Sequence, residues 1–400
     1  MSEAEQALWF GKNAPEGFIG LSTHFISSPD TRLSSEHYSK YSEIVFTEAP
    51  VSNYGNWPFV IDELFKLSKG KTTFRIRFRV SSPFFSTPKF YKQIHHLSAG
   101  SAEFVSLERA EKNDGFIVTF TATRRHFDVS RNWSFGILWD GKNENYLRSY
   151  VDSISTLADT GALKEIIICG PQPTFEIELD HTIVQADSDT EKYANISRKK
   201  NIIVSRAKYE NICIAHNRYK LDANFIKAFD RINHDYDICV VKQILNDSGE
   251  RVPDWVSQAS DQRLTANYLL NYGEYSPYLY VPGGLVIGKK HVLTTFPFND
   301  LGTWNMAEDV ELSQRLMSAD YLPRLNTKTI ARVLQLRKEI IADFKKPDIN
   351  NFYHHIDLFQ GPHARVDKYR SFLKRNTKLL LTNPIALYSN LKRRLKSRAG

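Results

Sequence analysis

Cysteine is scarce in this 400-residue chain. The three that occur, Cys169, Cys213 and Cys239, share no CxxC or other ligand spacing, and each sits in an apolar run. That excludes a disulfide scaffold and thiolate metal sites, and reads as buried thiols in a reducing compartment. Long apolar runs are missing too: none approaches the roughly eighteen residues that a membrane-spanning helix needs. The opening MSEAEQALWF is acidic, which is not how a secretory signal begins. Internal repeats, low-complexity tracts and the zinc or recognition spacings of nucleic-acid readers are absent as well, so no nucleic-acid partner is expected.

What is present is globular material with an uneven charge. Hydrophobic residues make up 42% of the chain and charged residues 24%, which suits two or three domains with buried cores. The net charge is +8, and from Arg365 onward eleven Lys/Arg face a single Asp367. Two segments there, 366–381 and 385–395, are amphipathic. Tyr388, Leu391 and Leu395 fall on one helical stripe amid Lys392, Arg393, Arg394 and Lys396. Such a helix suits an anionic membrane interface or plain solvent.

Residues 1–128 alternate strand and helix. Their patterning predicts strands at 18–22, 43–47, 72–80, 103–108 and 116–123, and helices at 59–67 and 88–97. A polar stretch over 125–132 marks a boundary. Beyond it, strands are predicted at 134–139, 164–169, 182–185, 211–216 and 236–245, and helices at 144–157, 197–207 and 225–232. Alternation of this kind predicts a mostly parallel sheet with crossover helices. The expected domains are therefore 1–128, 130–334, and a connecting arm with a basic helical tail over 335–400.

Ligands of open α/β sheets bind beyond the carboxyl ends of the strands. Asp140 opens one such strand-end turn. Arg198, Lys199, Lys200 and Asn201 lie near a helix start, where they meet an anion or form a solvated basic face. His216, Asn217 and Arg218 end another strand, with Asp222 four residues further on; His216 is either a ligand contact or a core histidine. Trp255 and the run Tyr268, Tyr272, Tyr275, Tyr278 and Tyr280 suit the apolar faces of sugar rings, or ordinary packing.

The chain is organised around residues 282–316, PGGLVIGKKHVLTTFPFNDLGTWNMAEDVELSQRL. Gly283 and Gly284 precede a short apolar strand, and Glu308 and Asp309 open a helix with Val310, Leu312 and Leu316 as apolar positions. The helix macrodipole stabilises a carboxylate there, so Asp309 is expected to stay ionised. Beside a glycine-lined cleft it can accept a proton from a hydroxyl. The same pair also serves as a simple helix cap.

The glycine pair, followed by W-x-x-A-E-D-V-E-L-x-x-R-L, resembles the acceptor-side segment of family 2 glycosyltransferases with a GT-A fold. The match covers Gly283, Gly284, Trp304, Glu308, Asp309, Glu311, Leu312 and Arg315. It implies a GT-A-like α/β domain over 130–334 that moves a sugar from a nucleotide-sugar donor to a hydroxyl of a glycan or lipid-linked acceptor, with inversion, in surface polysaccharide synthesis. By the same resemblance Asp309 is the base and Glu308 orients the acceptor. Asp140, Lys200 and Asn201 hold the nucleotide, His216, Asn217, Arg218 and Asp222 the donor diphosphate, and Trp255, Gly283, Gly284 and Trp304 the acceptor.

The family carries an acidic Asp-x-Asp signature for Mg2+ or Mn2+ where this chain has Asn217. Asp222 is then the carboxylate left for a metal, and Arg218 the alternative if charge is neutralised without one. Residues 1–128 resemble the later half of a class I methyltransferase fold but lack a G-x-G turn for a methyl donor, which implies a smaller, degenerate, non-catalytic α/β domain. The resemblance also implies a cytoplasmic enzyme, held at the inner face of the plasma membrane by an anionic surface that meets the tail. A non-catalytic glycan- or lipid-binding scaffold on the same fold is the other reading these residues leave open.

Overall fold

The computed structural model describes residues 6–80, 85–110, 115–261, 264–303, 306–336, 341 and 344–345. The basic tail and Trp304 lie outside them. The described residues belong to one compact unit, Met1–Ile349, built on two α/β layers.

The first layer holds β1 (Gln6–Phe10), β2 (Phe18–Leu21), β3 (Tyr41–Phe46), helix α1 (Trp57–Leu67), β4 (Ser68–Phe78), α2 (Thr87–Leu97), β5 (Glu103–Arg109) and β6 (Phe116–Thr123). Its strand order is β2-β1-β3-β4-β6-β5. The first four strands are parallel, and β6 runs antiparallel between β4 and β5. The core is aromatic: Phe65 of α1 stacks on Phe74 at 4.7 Å, and Phe74 on Phe120 at 5.0 Å. Strand β4 leaves α1 at Ser68, four residues before its predicted start. Gly70, at φ +63°, makes this possible by taking a left-handed kink that a side chain would disfavour.

The second layer begins with β7 (Trp133–Leu138), α3 (Glu144–Ser155), β8 (Lys164–Cys169), β9 (His181–Val184), α4 (Ser188–Lys192), α5 (Ile196–Arg206), β10 (Asn211–His216), β11 (Tyr219–Leu221), α6 (Phe225–Asp230) and β12 (Ile238–Leu245). A hairpin, β13 (Val256–Asp261) and β14 (Leu264–Leu269), with the short β15 (Leu279–Tyr280), forms a small separate sheet. The layer closes with β16 (Leu285–Lys289), α7 (Lys290–Thr295), α8 (Glu308–Ser318) and β17 (Pro323–Val333). The main sheet has the order β11-β17-β12-β16-β10-β7-β8-β9.

Strands β9, β8, β7 and β10 are mutually parallel, as are β12 and β17, and helices cross over between β7 and β8, between β9 and β10, and between β12 and β17. This is the largely parallel α/β architecture that the alternation predicts. Every residue of β7 is buried, because the crossover helices cover the sheet. Trp133 anchors that cover, 4.8 Å from Phe229 and 5.3 Å from Phe225 of α6. Two strands depart from the parallel run: the edge strand β11, antiparallel to β17, and β16, antiparallel to both β10 and β12. The reversal of β16 carries the glycine pair to the functional edge.

The two layers are joined by buried charge. Arg324 of β17 donates to Asp62, to Glu63 at 3.3 Å and to the carbonyl of Thr31 at 2.8 Å. Lys66 lies 3.1 Å from Asp62 and 3.4 Å from Glu63. Burial alone would raise the Asp62 carboxyl, but Lys66, Arg324, Arg124 and Arg32 hold it well below the ordinary carboxylate range. Among the described residues no helix is long and apolar enough to cross a membrane.

Candidate functional site

Strand direction assembles the site. Strands β7 and β10 pair in parallel and both end at one edge of the sheet, at Leu138 and His216. Because β16 is antiparallel and Leu285 pairs with Ala215, the residues just before it, Gly283 and Gly284, reach that same edge. The carbonyl of Gly284 accepts the backbone N–H of His216 at 3.2 Å. Helix α8 then presents its N-terminus to the glycines, and Oδ2 of Asp309 accepts the Gly283 N–H at 2.8 Å.

The glycine pair is required by close approach. A Cβ on Gly283 would stand 2.7 Å from Oε1 of Glu308 and 3.1 Å from Cβ of Asp309, and one on Gly284 would stand 2.7 Å from the Tyr219 hydroxyl. Ala307, which caps α8, holds φ +52° and ψ +48°, a left-handed conformation uncommon for a residue with a side chain. The turn it makes points the two carboxylates at the glycines.

The helix dipole is not the whole electrostatics of Asp309. Its pKa is raised: burial pushes it up first, and the Glu308 charge adds to this. Lys200 and the N–H groups of Gly283 and Val310 oppose the rise without cancelling it. A carboxyl with raised proton affinity is a better base at the pH where it is still deprotonated. Tyr280, which carried no assigned role of its own, lies close enough for the Asp309 charge to add to the burial that raises its phenol.

Lys200 is fully buried, and its Nζ lies 3.0 Å from Oε1 of Glu308 and 4.8 Å from the centre of the Phe298 ring. Its first partner is thus the acidic pair itself. Lys199 pairs with Glu191 at 2.6 Å. Asn201 spends its amide on the carbonyl of Phe298 at 2.8 Å, Asp300 at 2.6 Å and the N–H of Phe298 at 2.9 Å, so it fastens α5 to the loop before α8.

His216, Asn217 and Arg218 form the turn between β10 and β11. Burial, then the charges of Arg218, Lys200 and Lys199, lower the His216 pKa to about 3, which leaves a neutral imidazole among cations. Asn217 donates from its backbone to Leu138 at 3.3 Å and from its side chain to the carbonyl of Lys142 at 3.2 Å. This binds the turn to the Asp140 loop, where Asp140 accepts the N–H of Lys142 at 3.0 Å and stays exposed.

Two assignments are corrected. Asp222 does not turn back toward Asn217: it lies past the far end of β11, with Arg332 donating to it at 3.0 Å. Trp255 is 1% exposed, packs on Phe59 at 6.0 Å and donates its indole N–H to Glu274 at 2.8 Å, so it offers no ring face to a sugar. Trp304 falls outside the described residues. Around the β10–β11 turn the donor set is a neutral imidazole, an amide and a guanidinium, which does not suit a hard divalent cation such as Mg2+ or Mn2+. Among the described residues no three His, Cys, Asp or Glu side chains gather as metal ligands.

No protein-family model matches the chain, and no curated protein sequence does. Over about half its length the chain is similar to crystal structures of TarS from S. aureus. For TarS 1–349 the identity is 15% and the TM-score 0.34, over 51% of this chain and 58% of that one. For the same segment in complex with UDP the values are 14% and 0.37, over 50% and 60%. For S. aureus TarS, a third structure, they are 14% and 0.33, over 50% and 37%. The chain thus matches less than two thirds of each, and likeness this loose has no bearing on the chemistry of the site.

Proposed function

We propose that the chain is a glycosyltransferase, moving a sugar from a nucleotide-sugar donor to a hydroxyl of a glycan or lipid-linked acceptor. One observation carries this reading. Asp309, in the segment that resembles family 2 glycosyltransferases, is a carboxyl of raised proton affinity at a helix N-terminus, facing the glycine-lined edge where ligands of α/β sheets bind. Asp309 takes the acceptor proton, the acceptor oxygen attacks the anomeric carbon, and the nucleotide leaves from the opposite face, which inverts that carbon. Glu308, steadied by Lys200, orients the acceptor. The donor lies along the Asp140 loop and the β10–β11 turn. The basic tail brings the enzyme to an anionic membrane surface on its cytoplasmic side, where lipid-linked acceptors grow.

The test is a panel of nucleotide sugars assayed for nucleotide release, with and without candidate acceptors. An enzyme releases nucleotide from at least one donor, slowly by hydrolysis and faster with its acceptor. A binding scaffold releases none from any donor, and that result would refute the reading.

A further inference from the structure

At the sugar-transfer site, the charge that a leaving diphosphate would meet is unevenly committed. Lys199 is paired with Glu191 and Lys200 with Glu308, at 2.6 Å and 3.0 Å. Arg218 is not: its Nε is enclosed without a hydrogen-bond partner, and no carboxylate among the described residues pairs with the guanidinium. The turn that carries it is nonetheless held firmly. Asn217 binds it to β7 and the Asp140 loop, and the Arg218 carbonyl accepts the N–H of Leu334 at 2.8 Å. A guanidinium that is unpaired, enclosed at Nε and carried on a turn held at the carboxyl end of β10 is poised for an anion.

We propose that Arg218, in place of a divalent cation, neutralises the donor diphosphate, so that this chain transfers sugar without a metal. The inference rests on the sugar-transfer reading. In the step, the bond from acceptor oxygen to anomeric carbon forms and the bond from anomeric carbon to phosphate oxygen breaks. The electron pair stays on the phosphate oxygen, and the acceptor proton goes to Asp309. The diphosphate thereby gains one negative charge, and the two Nη–H groups of Arg218 meet it end-on in a bidentate geometry, since Nε itself is enclosed. Asp222, the carboxylate that would have shared a metal, is occupied by Arg332. In the acidic pair, Glu308 is already paired with Lys200 and Asp309 is the base.

The test uses inorganic pyrophosphate, which needs no knowledge of the donor base, titrated into the full-length protein at constant ionic strength. Calorimetry is run in excess chelator and again with Mg2+ or Mn2+. The expected result is binding in chelator that metal does not strengthen. Arg218→Gln weakens it at least tenfold and Arg218→Lys recovers only part, since an ammonium lacks the fork. Melting temperatures of the unliganded variants, equal to or above wild type, show that both fold. Pyrophosphate binding that requires the metal, or that survives Arg218→Gln unchanged, would overturn the proposal. The two readings fail separately. Nucleotide release that depends on Mg2+ keeps sugar transfer and removes the role of Arg218. Metal-free pyrophosphate binding through Arg218, with no donor ever turned over, keeps the anion site and removes sugar transfer.

Discussion

The backbone N–H of Gly283 and Oδ2 of Asp309 meet at 2.8 Å, tying the glycine pair before β16 to the acidic start of α8. Neither half is useful alone. The glycines allow α8 to approach, and the helix supplies the carboxyl that the edge of the sheet lacks.

Gly283→Ala tests that dependence. The added Cβ falls 2.7 Å from Oε1 of Glu308, so the acidic pair has to shift away from Lys200 and from the glycines. Misplacement of a catalytic group by about 1 Å costs up to about a hundredfold in rate. Steady-state kinetics should show kcat lowered by roughly ten- to a hundredfold, with donor affinity from calorimetry within about twofold of wild type. An unchanged kcat would mean that the close approach does not position the base.

The raised Asp309 pKa predicts a pH-dependent stability difference. A carboxyl that binds its proton more tightly when folded favours the folded state below its unfolded pKa, and that contribution is lost as pH rises through the folded value. At neutral pH wild type therefore carries a destabilisation that Asp309→Asn removes. Melting curves should show the variant gaining on wild type as pH rises from about 4 to about 7.5. A difference that is flat with pH, or that runs the other way, would contradict the shift.

Arg324→Met removes the cation shared between the two layers. Asp62 and Glu63 keep Lys66 but lose Arg324, and the carbonyl of Thr31 loses its donor. Breaking a buried pair from one side costs about 3–5 kcal/mol, far more than an exposed pair. Urea unfolding should register a loss of that order, whereas a loss below about 1 kcal/mol would show that the remaining cations, Lys66, Arg124 and Arg32, balance the carboxylates.

Regular elements were legible where their pattern is local. Strands β7, β8 and β10 and helices α3 and α5 follow from apolar runs and periodicity, and so does the parallel sheet they form. The hairpin β13–β14 was not, since the Asp261–Leu264 connection, DQRL, carries no Asn-Gly or Asp-Gly signal and the region reads as an aromatic connection. At the site, Gly283 and Asp309 are 26 positions apart and share one recognisable segment. The pairs Lys200–Glu308 and Asp222–Arg332 span 108 and 110 positions, and nothing in either neighbourhood names the partner. The upward shift of Asp309 was not legible for the same reason: the burial that causes it comes from packing, which a local reading of α8 does not contain.

The most direct measurement of the central claim is the turnover of Asp309→Asn with a donor that wild type uses. If Asp309 removes the acceptor proton, kcat falls by about two to four orders of magnitude. Donor binding, measured by calorimetry, stays within about twofold, because the change loses an interaction made in the transition state. Near-wild-type turnover in Asp309→Asn, with the same donor and acceptor, would contradict the account.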